Sequence, residues 1–203
     1  MNLSLATYVT IVLISAALVC LQPTAIAKGF DNEVNISLFT LANFTDDSPE
    51  YGHLELSRKL NDHQYLGLEF ITWTYEAPLG IPYGDSFGDT SENYPGRVRD
   101  LGIGLTFKHF FTHRLFVKLH ATPLVQFYTD EAGELIQQGF QLFTAARLGY
   151  NWSWSQDRFF IEPSIAATSW PVRTHVPDAF EARDDQWPRY FLFEPGLNLG
   201  VRF

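Results

Sequence analysis

The chain is nearly devoid of cysteine and methionine, with one of each, and the cysteine is Cys20. If residues 1–27 are removed, no thiol is left for a disulfide, a thiolate–metal site or a cysteine nucleophile. Charge is sparse too, at 18% of residues, and acidic groups outnumber basic ones 23 to 14, for a net charge of −9. That balance excludes a basic nucleic-acid-binding surface. Long helical periodicity is absent, which argues against bundles and alternating α/β folds. What the chain has in quantity is aromatic: 16% of residues, including 18 Phe.

The first 27 residues carry no charged side chain. Val9 to Cys20 is mostly apolar, and Ala25-Ile26-Ala27 puts small residues at −3 and −1 before Lys28. This is the pattern of a secretory signal peptide cleaved after Ala27, although the usual Lys or Arg near its start is missing. An N-terminal membrane helix and a lipoprotein modified at Cys20 are the alternatives. Pro23 and the A-x-A site oppose the first; Val19, where a small residue should precede a lipidated cysteine, opposes the second. The expected division is a signal peptide over 1–27 and one domain over 28–203.

Short Phe-, Tyr-, Val- and Leu-rich segments predict an all-β domain of eight strands, at about 33–44, 51–60, 64–75, 98–110, 115–128, 139–154, 158–169 and 189–203. Three connections are very short, around Asn61-Asp62-His63, Thr112-His113-Arg114 and Ser155-Gln156-Asp157. The other four, 45–50, 76–97, 129–138 and 170–188, are rich in Asp, Glu, Gly and Pro. Short and long alternate.

Within strands the faces separate cleanly. The fifth segment sends Leu115, Val117, Leu119, Ala121, Val125 and Phe127 one way, and Phe116, Lys118, His120, Thr122 and Gln126 the other. In the sixth, Leu142, Ala146, Leu148, Tyr150, Trp152 and Trp154 oppose Gln141, Arg147, Gly149, Asn151 and Ser153. In the last, Leu197, Leu199, Val201 and Phe203 oppose Gly196, Asn198, Gly200 and Arg202. This ending resembles the C-terminal strand of bacterial outer-membrane barrels, which serves as their assembly signal. The resemblance implies an eight-stranded antiparallel up-and-down transmembrane β-barrel, with short periplasmic turns, long outer loops and both termini periplasmic. It also implies outer-membrane lipids, lipopolysaccharide and the barrel assembly machinery as partners, and a monomer. A soluble lipocalin-like barrel is the structural alternative, but it would want an apolar interior rather than Lys, Arg and His.

Estimated registers set Glu162 roughly opposite Glu194, Glu55 roughly opposite Glu69, His120 roughly opposite Arg147, and Arg147 near Ser164 and Glu162, with Gly102 and Gly104 leaving space near Glu69. The lumen is then expected to hold Glu55, Glu69, Glu162 and Glu194 among Lys59, Lys108, Lys118, Arg147 and His120. One reading is a structural network satisfying polar groups in a narrow lumen. The other is a proton donor or acceptor built from His120, Glu162 and Glu194, with facing carboxylates shifting one another.

Phe160-Ile161-Glu162-Pro163-Ser164-Ile165 and Leu192-Phe193-Glu194-Pro195-Gly196-Leu197 repeat one pattern on the last two strands. Proline cannot donate to a ladder, so Pro163 and Pro195 predict a weak lateral seam there. The arrangement resembles the proline-flanked lateral openings of the outer-membrane lipid A palmitoyltransferase; harmless bulges are the other reading. The loop Pro78–Asp89 has no phosphate-loop context. The last loop carries Trp170-Pro171 and Trp187-Pro188 around Asp178, Glu181, Asp184 and Asp185, as solvated charge or as a cation-binding surface. The lipid A deacylase pattern of His, one residue, then Ser on a late strand is absent. The expectation is therefore a structural or surface-interaction protein acting through acidic outer loops, without enzymatic activity, cofactor or metal. A lipid A-modifying or lipid-binding barrel with lateral access is the alternative.

Overall fold

The computed structural model describes residues 30–44, 48–75 and 94–203. The expected signal peptide and the Pro78–Asp89 motif lie outside these residues. Among the described residues nine strands form: β1 Asn32–Ser37, β2 Gly52–Asn61, β3 Gln64–Tyr75, β4 Arg97–Phe110, β5 Leu115–Thr129, β6 Leu135–Tyr150, β7 Trp152–Trp154, β8 Phe159–Thr174 and β9 Tyr190–Arg202. All pair antiparallel in one sheet, in the order β6-β5-β4-β3-β2-β1-β9-β8-β7, and β6 also pairs with β8. The sheet closes in a ring. No helix among the described residues is long and apolar enough to cross a membrane.

Nine strands rather than eight arise because the expected segment 139–154 breaks at Asn151, leaving β6 and β7 both paired to β8. The Asn151 amide instead donates to the Arg114 carbonyl at 2.7 Å, and its side chain turns inward to Glu162 at 2.8 Å. The first strand is also shorter than expected. β1 ends at Ser37, and Leu38–Phe44 forms a 3-10 helix. Ser37 Oγ accepts a hydrogen bond from the Phe39 amide at 3.3 Å, a local turn that competes with the ladder. Asn43 then makes two bonds with the Tyr51 backbone, at 2.6 and 2.7 Å, and ties the 3-10 segment to the start of β2. The eighth strand runs on to Thr174, and the last loop holds a short helix, α1 (Asp178–Asp184).

The short connections fall together at one end of the ring, which we call the turn end; the longer ones meet at the loop end. Even so, 130–134 is only one residue longer than 111–114.

The polarity of the sheet is the inverse of a soluble core. Along β5, Phe116, Lys118, His120, Thr122, Leu124, Gln126 and Tyr128 are buried inside, while Leu115, Leu119 and Val125 are exposed. Leu68, Ile103 and Leu105 likewise face outward, at 55%, 63% and 57% exposure. Tyr150, Trp152 and Trp154 stand exposed near the turn end. Leu199 and Phe203 are exposed on the outer face of β9, Leu197 is half-buried and Val201 is covered. The two ends of the described chain zip together: Asn32 and Phe203 exchange backbone bonds at 3.0 and 2.9 Å.

Two aromatic clusters stop the interior. At the turn end, Tyr65, Phe110 and Phe116 pack edge to face, with Phe160 buried nearby. At the loop end, Tyr75, Tyr94, Val98 and Tyr128 receive Phe180, which α1 inserts fully buried. Aromatic pairs at such spacings contribute roughly 0.5–1.5 kcal/mol each beyond their area.

Candidate functional site

Between the aromatic clusters lies a chain of ion pairs. Arg202 contacts Glu33 at 3.3 Å; Glu33 accepts from Lys108; Lys108 reaches Glu162 at 2.9 Å. Lys118 lies 3.7 Å from Glu162 and 2.7 Å from Glu55. All of these side chains are at least nine-tenths buried. Three cations face three carboxylates, which is what burial at low dielectric demands. Neutral donors add to the shells, although Glu162 Oε2 accepts no hydrogen bond among the described residues. Glu55 accepts from Ser57 (2.9 Å), Thr106 (2.7 Å) and Asn35 (3.2 Å), and Glu162 from Asn151. The Lys108 ammonium also lies 5.3–5.6 Å from the rings of Tyr65, Phe110, Phe116 and Phe160, a four-ring cation–π cage.

Glu69 is directly across the ladder from Glu55. It belongs to a separate group: His53 at 3.2 Å, His120 Nδ1 at 2.8 Å and the Thr122 hydroxyl. Gly104 pairs with Glu69 across the ladder, and a Cβ there would collide with Thr122, so this glycine is what lets Thr122 reach the carboxylate.

The estimated registers hold for Glu55 and Glu69, come within two residues for His120 and Arg147, and fail for Glu162 and Glu194. Glu162 pairs with Asn198, while Glu194 pairs with Ala166. The error is four residues, because β8 is longer than expected and α1 occupies part of the connection. His120 pairs with Ala145, and Arg147 with Lys118. Arg147, lying over Gly196, reaches Ser164 at 3.3 Å, as expected, and its ion-pair partner is Glu194 at 2.7 Å. Lys59 is at the turn end, paired with exposed Asp62 at 2.8 Å. The candidate acid–base residues are therefore dispersed: Glu162 among two lysines, His120 on Glu69, and Glu194 on Arg147. Sequence reading passed over Glu33, His53 and Arg202. Their signal was present, since each occupies an inward position of its strand's alternation.

The Glu-Pro seam differs from expectation as well. Pro163 and Pro195 do point outward and Glu162 inward, but the β8–β9 ladder continues through both prolines from Phe159 to Ser169. It is interrupted once, by a bulge that extrudes Phe193 at φ 65°, a left-handed conformation rare for a bulky residue. The gap in the wall is on the other edge of β9. β1 pairs only with Asn198–Arg202, so Tyr190–Leu197 have a strand neighbour on the β8 side alone. The 3-10 helix Leu38–Phe44 stands in that place, presenting exposed Phe39, Leu41 and Phe44.

Behind this gap is a cavity of about 420 Å³ under the loop end, lined by Phe39, Ala42, Tyr51, Trp73, Phe191 and Pro195, among others, with Arg173, Asp184 and Glu194 as its charged groups. Arg173 pairs with Asp184 through Nη1, and Tyr94 donates to the same carboxylate. Burial, partly offset by Arg173, raises Asp184 above the ordinary carboxylate value; burial and the Asp184 charge raise Tyr94 strongly. Nε and Nη2 of Arg173 are buried, with no acceptor among the described residues. A shallower concavity of about 630 Å³ lies along apolar side chains including Leu66, Leu119, Ala146 and Leu192.

Asp178, Glu181 and Asp185 are solvent-exposed around α1, whereas Asp184 turns inward. Among the described residues no group of three His, Cys, Asp or Glu is placed to hold a metal. Compared with protein families, with curated proteins and with solved structures, the chain matches none of them.

Proposed function

We propose that this protein is a transmembrane β-barrel of a bacterial outer membrane, delivered by residues 1–27 as a signal peptide, and that its role is structural or surface-interactive rather than enzymatic. One observation carries the reading: Glu55 and Lys118 are fully buried inside the ring while Leu68, Ile103 and Leu105 are exposed outside it. An exposed apolar band around a charged interior is costly in water and natural in lipid. The exposed Tyr150, Trp152 and Trp154 near the turn end fit an interfacial aromatic girdle.

With the turn end periplasmic, α1 and the exposed carboxylates of Asp178, Glu181 and Asp185 lie at the cell surface. Lipopolysaccharide and other surface molecules are then the surrounding partners, and the barrel assembly machinery is the partner for insertion. The separation of His120, Glu162 and Glu194 supports a non-enzymatic role over lipid A modification.

The test is fractionation of the full chain expressed with its signal. The protein should sediment with outer membranes and migrate faster on gels when unheated than when boiled. A soluble periplasmic product without heat-dependent migration would overturn the assignment.

A further inference from the structure

The unwalled stretch between β9 and β2 joins three features: an apolar rim, an aromatic cavity, and a buried guanidinium with spare donors. The rim is formed by exposed Leu41 and Phe44 on one side and exposed Leu192 and Phe193 on the other, while Phe39 and Phe191, also exposed, line the cavity itself. In a barrel this rim would face hydrocarbon, so access through it selects an apolar chain rather than a solute from water. The cavity behind it, about 420 Å³, is within the size range of small-molecule sites and has aromatic walls in Tyr51, Trp73 and Phe143.

At the polar end, Arg173 spends Nη1 on Asp184 and leaves Nε and Nη2 without acceptors among the described residues, although its side chain is only 4% exposed. A buried donor left unmade is expensive. Nε and an adjacent Nη of a guanidinium form the fork that matches two oxygens of a carboxylate or phosphate.

We propose that this cavity binds one long acyl chain, admitted laterally between β9 and the Leu38–Phe44 helix, with an oxygen-bearing head group held on Nε and Nη2 of Arg173. The proposal rests on the membrane-barrel reading. The head chemistry is common to a free fatty acid and to an acyl chain still carried by a membrane lipid. The ion pairs of the interior below take no part: Glu33, Glu55 and Glu162 each already meet a lysine. The Asn43–Tyr51 bridge holds the helix against β2, so widening falls to the β9 side, where the bulge at Phe193 already interrupts pairing.

The test uses the full mature chain reconstituted in lipid vesicles, with insertion verified first by protease protection and heat-dependent gel migration. Failure at that stage overturns the membrane reading. With inserted protein, a brominated C16 fatty acid is titrated while tryptophan fluorescence is followed, since Trp73, Trp170 and Trp187 line the cavity. Saturable quenching at one acid per protein is expected. Ala42→Phe, which puts a ring into the cavity, should remove the saturable component. Arg173→Lys, which keeps a cation beside Asp184 but loses the fork, should weaken binding about tenfold or more. Saturable quenching by a phospholipid with a brominated chain, but not by the free acid, would identify the lipid-borne source. Non-saturable quenching that is equal in the parent and both variants would overturn the proposal. So would saturable binding that emerges only after residues 78–92 are replaced by a Gly-Ser linker, because the chain's own loop would then be the occupant.

Discussion

At the residue scale, the charges that matter most are those with no water to fall back on. Lys118 is fully buried and serves two carboxylates, Glu55 at 2.7 Å and Glu162 at 3.7 Å. Removing one partner of such a set leaves uncompensated charge and costs about 3–5 kcal/mol. Lys118→Met should therefore lower stability by that order, read as the unfolding midpoint in detergent. Lys59→Met removes a pair whose acid is exposed and should cost under about 1 kcal/mol. Adding Glu55→Gln to Lys118→Met should recover part of the loss, because the orphaned charge goes with it. Equal midpoints for the two single variants would mean that Lys118 is not neutralising buried carboxylates. Arg147 falls between these cases. Its partner Glu194 keeps 34% side-chain exposure, so water can replace the lost ion pair.

At the element scale, α1 is the piece of the loop end whose docking has a titratable latch. Phe180 anchors it and Asp184 binds Arg173 and Tyr94. Burial raises Asp184 above its ordinary value of 3.8. Between 3.8 and the raised value the folded protein keeps a proton that the unfolded chain has released. The contribution to stability is then fully present below 3.8 and is lost as pH rises through the raised value. The unfolding midpoint of the parent should fall across that window more steeply than that of Asp184→Asn, and matching slopes would remove Asp184 as the cause. The same scale explains the prolines. β9 above Asn198 has an unpaired edge, where a residue without an amide hydrogen is tolerated, so Pro195 needs no opened β8–β9 seam.

At the scale of the whole molecule, the described ring is stopped at both ends and crossed by ion pairs in its middle, the cavity of about 420 Å³ lying above them. The Tyr65–Phe110–Phe116 cluster stops one end and the Tyr75–Tyr94–Tyr128–Phe180 cluster the other, with ion pairs in the middle. Such an interior transmits neither water nor ions as a continuous column. Reconstituted in a planar bilayer, the protein should show no stepwise conductance. Regular single-channel steps from the parent protein would contradict an interior blocked by these clusters and ion pairs.

Much of this was legible in the residues because side-chain alternation is local. Lys118, His120 and Thr122 occupy every second position, so their shared face follows from the period of a strand alone. The inward Glu, Lys and His set and the outward Leu, Val and Trp set needed nothing more. A short connection limits how far a register can drift: centring this one on Asp62 pairs Glu55 with Glu69, and the bulge between Lys59 and Asn61 gives the ladder that register. Register across a long connection is not local. The extension of β8 to Thr174 and the placement of α1 depend on burying Phe180 and Asp184 at the mouth, so Glu162 came to Asn198 and not to Glu194. The end of β1 was equally hidden. Leu38-Phe39-Thr40-Leu41 reads as strand, yet a Ser37 turn and the Asn43–Tyr51 bridge outweigh the ladder there. Sequence by itself determined the all-β class and the two faces, because both follow from neighbours two residues apart. The tertiary structure alone decided where the wall is incomplete and which charges meet, because those depend on strand lengths and on side chains that reach one another across the ring.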